Sequence, residues 1–241
     1  MISKNRIKFI RSLHRKKERI QHQKFIIEGE KPVKELLASD TAFDSIYFTE
    51  NFASKHIEIN GTLISGKEME SISVLKTTPG ILAIGDVLRW KKPNFEVGKY
   101  IFLDRINDPG NLGTIIRIAD WFGFDGIVCS KGSVDIYNPK VIQASMGSIF
   151  RVPVFYEDFD LLLPQVYQKI EIIGADMKGE AIQTFKFPKN GFLLMGSESH
   201  GISKGLHQYL RHKVTIPKYG KAESLNVAVA TGILANQFIN G

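Results

Sequence analysis

From Tyr100 onward the sequence repeats one form: a short apolar run that ends in a turn, then a helical stretch. The runs are YIFLD (100–104), FDGIVCS (124–130), EIIGADM (171–177), GFLLMGSE (191–198) and HKVTIP (212–217). A strand that is apolar on both faces must be covered on both, and parallel neighbours need a crossover to return the chain. Helical patterns at 112–122, 139–146, 159–169 and 224–238 supply those crossovers. The alternation predicts an α/β fold, a parallel sheet with helices on both faces. Ligands of such sheets sit beyond the carboxyl ends of the strands, and the unusual residues of this chain gather there.

The N-terminal part reads differently. Ile7, Ile10 and Leu13 fall at helical spacing with basic residues between them, the pattern of an amphipathic basic helix. Phe25, Ile26 and Ile27 read as a short strand, Glu28-Gly29-Glu30 as a turn, and Pro32 suits the first turn of the next helix. FDSIYFTE, IEINGTLI and ILAIGDV read as further strands. Residues 1–92 are therefore expected to form a small α/β domain. The polar, basic RWKKPNFEVGKY holds a linker over 93–98, and the parallel-sheet domain runs over 99–241.

A chain of 241 residues suffices for one or two domains with a sizeable core. No apolar run reaches the length of a membrane span, and the basic N-terminus lacks the apolar segment of a secretory signal. A cytoplasmic location is expected. The single cysteine, Cys129, allows no internal disulfide and no thiolate metal cluster. It follows Ile127 and Val128, which predicts a buried, inert thiol. His207 and His212 are the one close histidine pair and read as surface residues, so no metal is expected. Net charge is +7, yet residues 1–24 alone hold nine Lys or Arg against one Glu. The remainder is nearly balanced. A basic face this concentrated points to a polyanion, and Lys4, Arg11, Arg15, Lys16, Lys17 and Arg19 are its candidate nucleic-acid contacts. The structural alternative is a solubilising helix surface.

Three strand ends carry the chemistry. In LDRINDPGNLGTIIRIADWFGFDGIV, Leu112, Ile115, Ile116 and Ala119 share one helix face, and Arg117 points toward the side of Thr114 and Trp121. Arg117 is either a functional cation or a solvated one paired with Asp120 or Asp108; Asn111 is either functional or a helix N-cap. In GFLLMGSESHGIS, Gly196 allows close backbone approach to a ligand, and Glu198 either orients a cation such as Arg117 or serves a helix start. In VTIPKYGKAESLNVAVATGILANQF, Ser224 is placed as an N-cap with Asn226 two residues into the helix. Ala228, Ala230 and Gly232 allow close packing, which accounts for the helix but not for the ESLN before it.

These three motifs, in this order and spacing, resemble the SpoU class of the SPOUT superfamily, S-adenosyl-L-methionine-dependent RNA 2′-O-ribose methyltransferases. DPGNLGTIIRIAD, MGSESHGIS and IPKYGKAESLNVAVATGIL carry the likeness over 99–241. KFIIEGEKPVKELL is similar to the L30e-like RNA-binding domain often fused in front. The resemblance implies a C-terminal trefoil knot, which no periodicity reveals. It implies that loops at Met195, Gly196, Ile216, Pro217, Gly220, Ser224 and Leu225 hold S-adenosyl-L-methionine through backbone groups, with the GAD of EIIGADM lining the same pocket. It places the family's essential arginine at Arg117 and its asparagine at Asn111, with Glu198 orienting the arginine and Ser224 and Asn226 holding the loop and the ribose. Arg117 is regarded as a base in this family. A guanidinium keeps its proton so firmly that a contact to a phosphate or to the developing oxyanion is the preferred role. Where the family usually has glycine after the Glu, this chain has Ser199, followed by His200. The resemblance also implies a homodimer through the catalytic domain.

The fused domain favours ribosomal RNA as the partner over transfer RNA. The competing reading is a non-catalytic RNA-binding protein on the same fold, which has no need of Asn111, Arg117, Glu198, Ser224 and Asn226 together. A nicotinamide enzyme needs a glycine fingerprint after the first strand, and the sequence has none there.

Overall fold

Ser3 opens the first helix: its hydroxyl accepts from the Arg6 amide, one of the amides a helix start leaves unpaired. In the computed structural model, which describes residues 1–55 and 59–241, the expected single basic helix is two helices. They are α1 (Lys4–Ser12) and α2 (Lys16–His22). Arg15 between them is extended and Leu13 is buried, which breaks the continuity. Then follow β1 (Lys24–Glu28), α3 (Glu30–Leu37), β2 (Phe43–Thr49), α4 (Glu50–Ala53), β3 (Thr62–Ile64), α5 (Gly66–Ile72) and β4 (Ile81–Asp86). Of the strand expected over IEINGTLI, Ile57 and Glu58 lie outside the described residues, and the described part pairs over β3 alone. A capping box starts α5, with the Ser65 and Glu68 side chains each taking the other's backbone amide.

The second part of the chain carries β5 (Lys99–Leu103), α6 (Pro109–Phe122), β6 (Gly126–Ser130), α7 (Pro139–Ser145), β7 (Val154–Glu157), α8 (Phe159–Val166), β8 (Ile172–Ala181), β9 (Gly191–Met195), β10 (His212–Thr215) and α9 (Val227–Asn240). Internal contacts divide these elements into two units. One is Met1–Arg89 with Asp135–Arg151, and the other is Trp90–Val134 with Val152–Gly241. The segment around α7 thus belongs to the first unit, although in sequence it interrupts the second.

The first unit holds a four-stranded sheet in the order β1-β4-β2-β3, antiparallel except for β2 and β3. Ile10, Leu13, Ile26, Met69, Ile72, Leu82 and Ile84 pack together on it. Glu28, at the end of β1, is buried; burial pushes its carboxyl above the usual range, against a hydrogen bond from the Ser73 hydroxyl.

The second unit holds a six-stranded, all-parallel sheet in the order β10-β8-β9-β5-β6-β7. The sequence signals five of these strands. The sixth, β7, sits at the edge with only Val154 buried, so it lacks the continuous apolar run of an inner strand. Phe102 and Phe192 stack at 4.1 Å between centroids in the core. Phe95, inside the expected linker, is fully buried against them, with φ +58. Phe95 therefore anchors this segment in the unit's core, while Asn94 and Val97 beside it stay exposed. Cys129 is fully buried, and burial pushes its thiol up. Among the described residues no helix is long and apolar enough to cross a membrane.

Candidate active site

The central strands β5 and β9 end in register, Leu103 opposite Met195, and the Asp104 amide then donates to the Met195 carbonyl at 2.9 Å. The chain turns from there into α6. Asp108, not Asn111, is the N-cap: its carboxylate accepts from the Asn111 amide at 2.8 Å, with Pro109 in the first turn. The helix so begins three residues before the expected 112. Asn111 lies inside the first turn with its side chain free for other partners.

Asn111 Nδ2 donates to Glu198 Oε1, and Asn111 Oδ1 accepts from Asn226 Nδ2 at 2.9 Å. Asn226 is itself the N-cap of α9, its Oδ1 accepting from the amides of Ala228 at 2.9 Å and Val229 at 3.3 Å. This corrects the expectation that Ser224 caps that helix and that Asn226 lies within it. All three strand-end motifs thus meet in one chain of hydrogen bonds, Asn226 to Asn111 to Glu198, with the carboxylate as final acceptor. Each bond is partly hydrated and contributes about 0.5–1.5 kcal/mol, so the chain fixes orientation more than it stabilises the fold.

Arg117 is exposed two turns along α6, on the face that also presents Thr114 and Trp121, as the helix geometry requires. Glu198 Oε1 accepts from Asn111 and Asp108 Oδ1 caps the helix, so the hydrogen bonds of these two carboxylates run to α6 backbone and to Asn111 rather than to Arg117. No ion pair to Arg117 forms among the described residues.

A cavity of about 430 Å³ opens beside this network. Met195 and Gly196 line it from the end of β9, Ile216, Pro217 and Gly220 from beyond β10, and Ser224 and Leu225 from the approach to α9. Glu198 lines it too. Ala175 and Asp176 enter because β8 and β10 lose register: Lys213 pairs with Gly174 and Val214 with Glu180, which extrudes residues 175–179. Asp176 accepts from the Lys178 amide at 2.9 Å, which holds its carboxyl below the usual range against partial burial, and Lys213 lies 3.5 Å away. The cavity therefore joins apolar walls to an ionised carboxylate, a surface for an amphiphilic ligand with a cationic group.

Gly196 serves the chain itself. A Cβ there would lie 2.0 Å from the Gly201 carbonyl carbon and 2.1 Å from the Ile202 nitrogen, so the close approach expected toward a ligand is made to backbone. Ser197 and Gly201 exchange backbone hydrogen bonds across this turn, and Gly201 supplies φ +62. Ser199 and His200 sit at its exposed tip, hydrogen-bonded to each other at 2.7 Å. Sequence reasoning passed over Asp104. Its buried carboxylate accepts from the Ser203 amide at 2.7 Å and hydroxyl at 2.6 Å, and it ties the end of β5 to the chain beyond this turn. The only sequence signal was an acidic residue directly after an apolar strand.

In the first unit Lys4, Arg11, Arg15, Lys16 and Lys17 are exposed, but Arg19 is not. It is 4% exposed, pairs with Asp135 at 2.6 Å and donates to the Leu13 and His14 carbonyls at 2.9 Å. Its period in α2 turns it inward, and it is a structural cation. His212 is exposed as expected; His207 is half-buried, its Nε2 3.3 Å from the Ile202 carbonyl.

Comparison with known proteins adds to this geometry. Residues 98–236 match the SpoU rRNA Methylase family, and residues 4–83 match an MRM3-like substrate binding domain. The chain is 31% identical over 238 residues to the 23S rRNA (guanosine(2553)-2′-O)-methyltransferase of Bacillus subtilis, covering 95% of this chain and 94% of that protein. Among solved structures, one described as an RNA methyltransferase of the TrmH family from Porphyromonas gingivalis has a TM-score of 0.86 at 34% identity, covering 99% of this chain and 98% of that one. An AdoMet-bound rRNA methyltransferase from Sinorhizobium meliloti has a TM-score of 0.83 at 28% identity, covering 99% and 95%.

Proposed function

Because the chain belongs to the SpoU rRNA methylase family, we propose that it transfers the methyl group of S-adenosyl-L-methionine to a ribose 2′-hydroxyl of ribosomal RNA. The observation that carries this reading is the convergence of Glu198, Asn111 and Asn226 beside one cavity of about 430 Å³, a volume suited to a cofactor of this size. The cavity's donor set fits: Met195, Ile216, Pro217 and Leu225 offer apolar contact, Gly196, Gly220 and Ser224 offer backbone groups, and Asp176 offers negative charge. When bound there, S-adenosyl-L-methionine supplies an electrophilic methyl on a sulfonium that is already a good leaving group.

The residues of this chain do the rest. Asn111, held on both sides of its amide, and Ser224 fix the ribose, and alignment of this kind is worth several kcal/mol. Arg117 stabilises the charge that develops on the 2′-oxygen, directly or through an adjacent phosphate, while the hydroxyl proton passes to solvent water as the new C–O bond forms and the C–S bond breaks. Lys4, Arg11, Arg15, Lys16 and Lys17 contact RNA phosphates on the first unit. The N-terminal domain read from the sequence, residues 1–92, selects the substrate, and the methyltransferase domain spans 99–241.

The reading extends to assembly. A homodimer through the catalytic domain is supported by apolar side chains left exposed on α6 and α9, which pack on each other: Trp121 at 84%, Val229 at 53% and Ile233 at 37%. A trefoil knot is supported by the segment after β10, which lines the same cavity as the end of β9 before it enters α9. A cytoplasmic location goes with the substrate.

The test is methyl transfer from labelled S-adenosyl-L-methionine to total RNA from a strain lacking the gene. Label in one ribosomal RNA at an alkali-resistant bond, lost in Arg117→Ala, is the expected result. Cofactor binding with no label in any RNA class would leave an RNA-binding protein without catalysis.

A further inference from the structure

Arg105 follows the buried Asp104 on the chain from β5 to α6. Its backbone is in the left-handed region, φ +57, which disfavours any residue with a Cβ and which glycine adopts freely. The strained conformation is secured on all sides. The Arg105 amide donates to Ser130 Oγ at 2.8 Å, the Ile106 amide to Ser133 Oγ at 3.2 Å, and the Asp104 amide to the Met195 carbonyl at 2.9 Å.

The side chain is fixed as well. Arg105 Nε lies 3.3 Å from Asp104 Oδ1, while Asp104 Oδ2 is taken by the Ser203 amide and hydroxyl. A Cβ added at Gly132 would meet Arg105 Cγ at 3.5 Å, so the stem runs across that glycine. The Arg105 side chain is nevertheless 44% exposed, and its two terminal nitrogens have no partner among the described residues. A surface arginine that serves solubility needs neither a strained backbone nor a buried carboxylate behind it. A guanidinium held at Nε with its far edge open is shaped to take two oxygens of one anion.

We infer that Arg105 binds a backbone phosphate of the RNA substrate at the carboxyl edge of the sheet, beside the nucleotide to be methylated. The inference rests on the reading of the chain as an RNA-modifying protein. The bound cofactor's carboxylate is the other anion with this chemistry. Arg105 is absent from the lining of the cavity, which favours the RNA.

The test uses the full chain and Arg105→Gly, which adopts a positive φ without strain and so keeps the fold. Binding of an unmodified 23S rRNA transcript is measured across a KCl series by filter retention, and cofactor affinity by calorimetry. The variant is expected to bind RNA about tenfold more weakly at low salt, the size of one charge-assisted hydrogen-bonded pair. Its log–log salt dependence should be flatter by about one ion, with cofactor affinity unchanged. Arg105→Lys should keep the slope and lose part of the affinity. Wild-type RNA affinity and slope in Arg105→Gly overturn the inference, and so does a loss confined to cofactor binding. If the wild type transfers no methyl yet shows the Arg105-dependent slope, the phosphate contact stands and the methyltransferase reading falls.

Discussion

Arg19→Ala is expected to destabilise the first unit by about 3 kcal/mol, although its place in a basic N-terminal stretch marks Arg19 as one more nucleic-acid contact. Its side chain is 5% exposed. One terminal nitrogen meets Asp135 at 2.6 Å, and the other donates to the Leu13 and His14 carbonyls at 2.9 Å. Truncation removes all three bonds and leaves two carbonyls and a carboxylate without that donor. Breaking a buried ion pair from one side costs about 3–5 kcal/mol. Asp135 is 16% exposed and still accepts from the Tyr137 amide at 3.2 Å, which places the loss at the low end. Arg15 is the control: it is 71% exposed, with a 3.5 Å pair to Glu18, and its loss should cost under about 0.5 kcal/mol. In thermal unfolding followed by circular dichroism, Arg19→Ala should lower the midpoint by about 6–12 °C, and Arg15→Ala by under about 2 °C. RNA binding at low salt should show the reverse order once both proteins are folded. Equal midpoints for the two variants, with RNA affinity lost only in Arg19→Ala, would refute the structural assignment.

Gly196→Ala should weaken cofactor binding more than tenfold by calorimetry, because its Cβ would overlap backbone at Gly201 and Ile202; Gly205→Ala, with open space around it, should bind as wild type. Phe95→Ala should cost about 3–5 kcal/mol in urea unfolding, the price of a core aromatic rather than of a linker residue. Glu28→Gln should be more stable than wild type at pH 7, with the gap closing toward pH 4. Burial raises the folded-state pKa of Glu28 above the usual 4.5. Its stabilising contribution is therefore complete below that value and lost as pH rises through the raised one. Urea midpoints across pH check this.

The parallel sheet was legible because inner strands covered on both faces must be continuously apolar, as at Ile101–Leu103 and Phe192–Met195. The edge strands β10 and β7 carry no such obligation, each burying one residue, Val214 and Val154, and only β10 was read from the sequence. Helix starts were less legible. DPGN and ESLN each hold several capping residues, and local chemistry does not decide between Asp108 and Asn111, or between Ser224 and Asn226. Tertiary structure decides, by giving Asn111 a partner in Asn226 from 115 residues away. The same limit applies to Arg19, whose inward turn depends on Asp135, and to Phe95, an apolar residue in a polar segment that found a pocket in the core. The site motifs were readable as patterns; which atoms they satisfy was not.

Asn226 closes two things with one amide: its oxygen seals the first turn of α9, and its nitrogen holds Asn111. Opening of that turn and loosening of the site are then a single event. A ligand that steadies Asn111 must also slow deuterium uptake at the amides of Ala228 and Val229. Those two protons become a clock for occupancy of the cavity, readable without turnover and without knowing which RNA is bound.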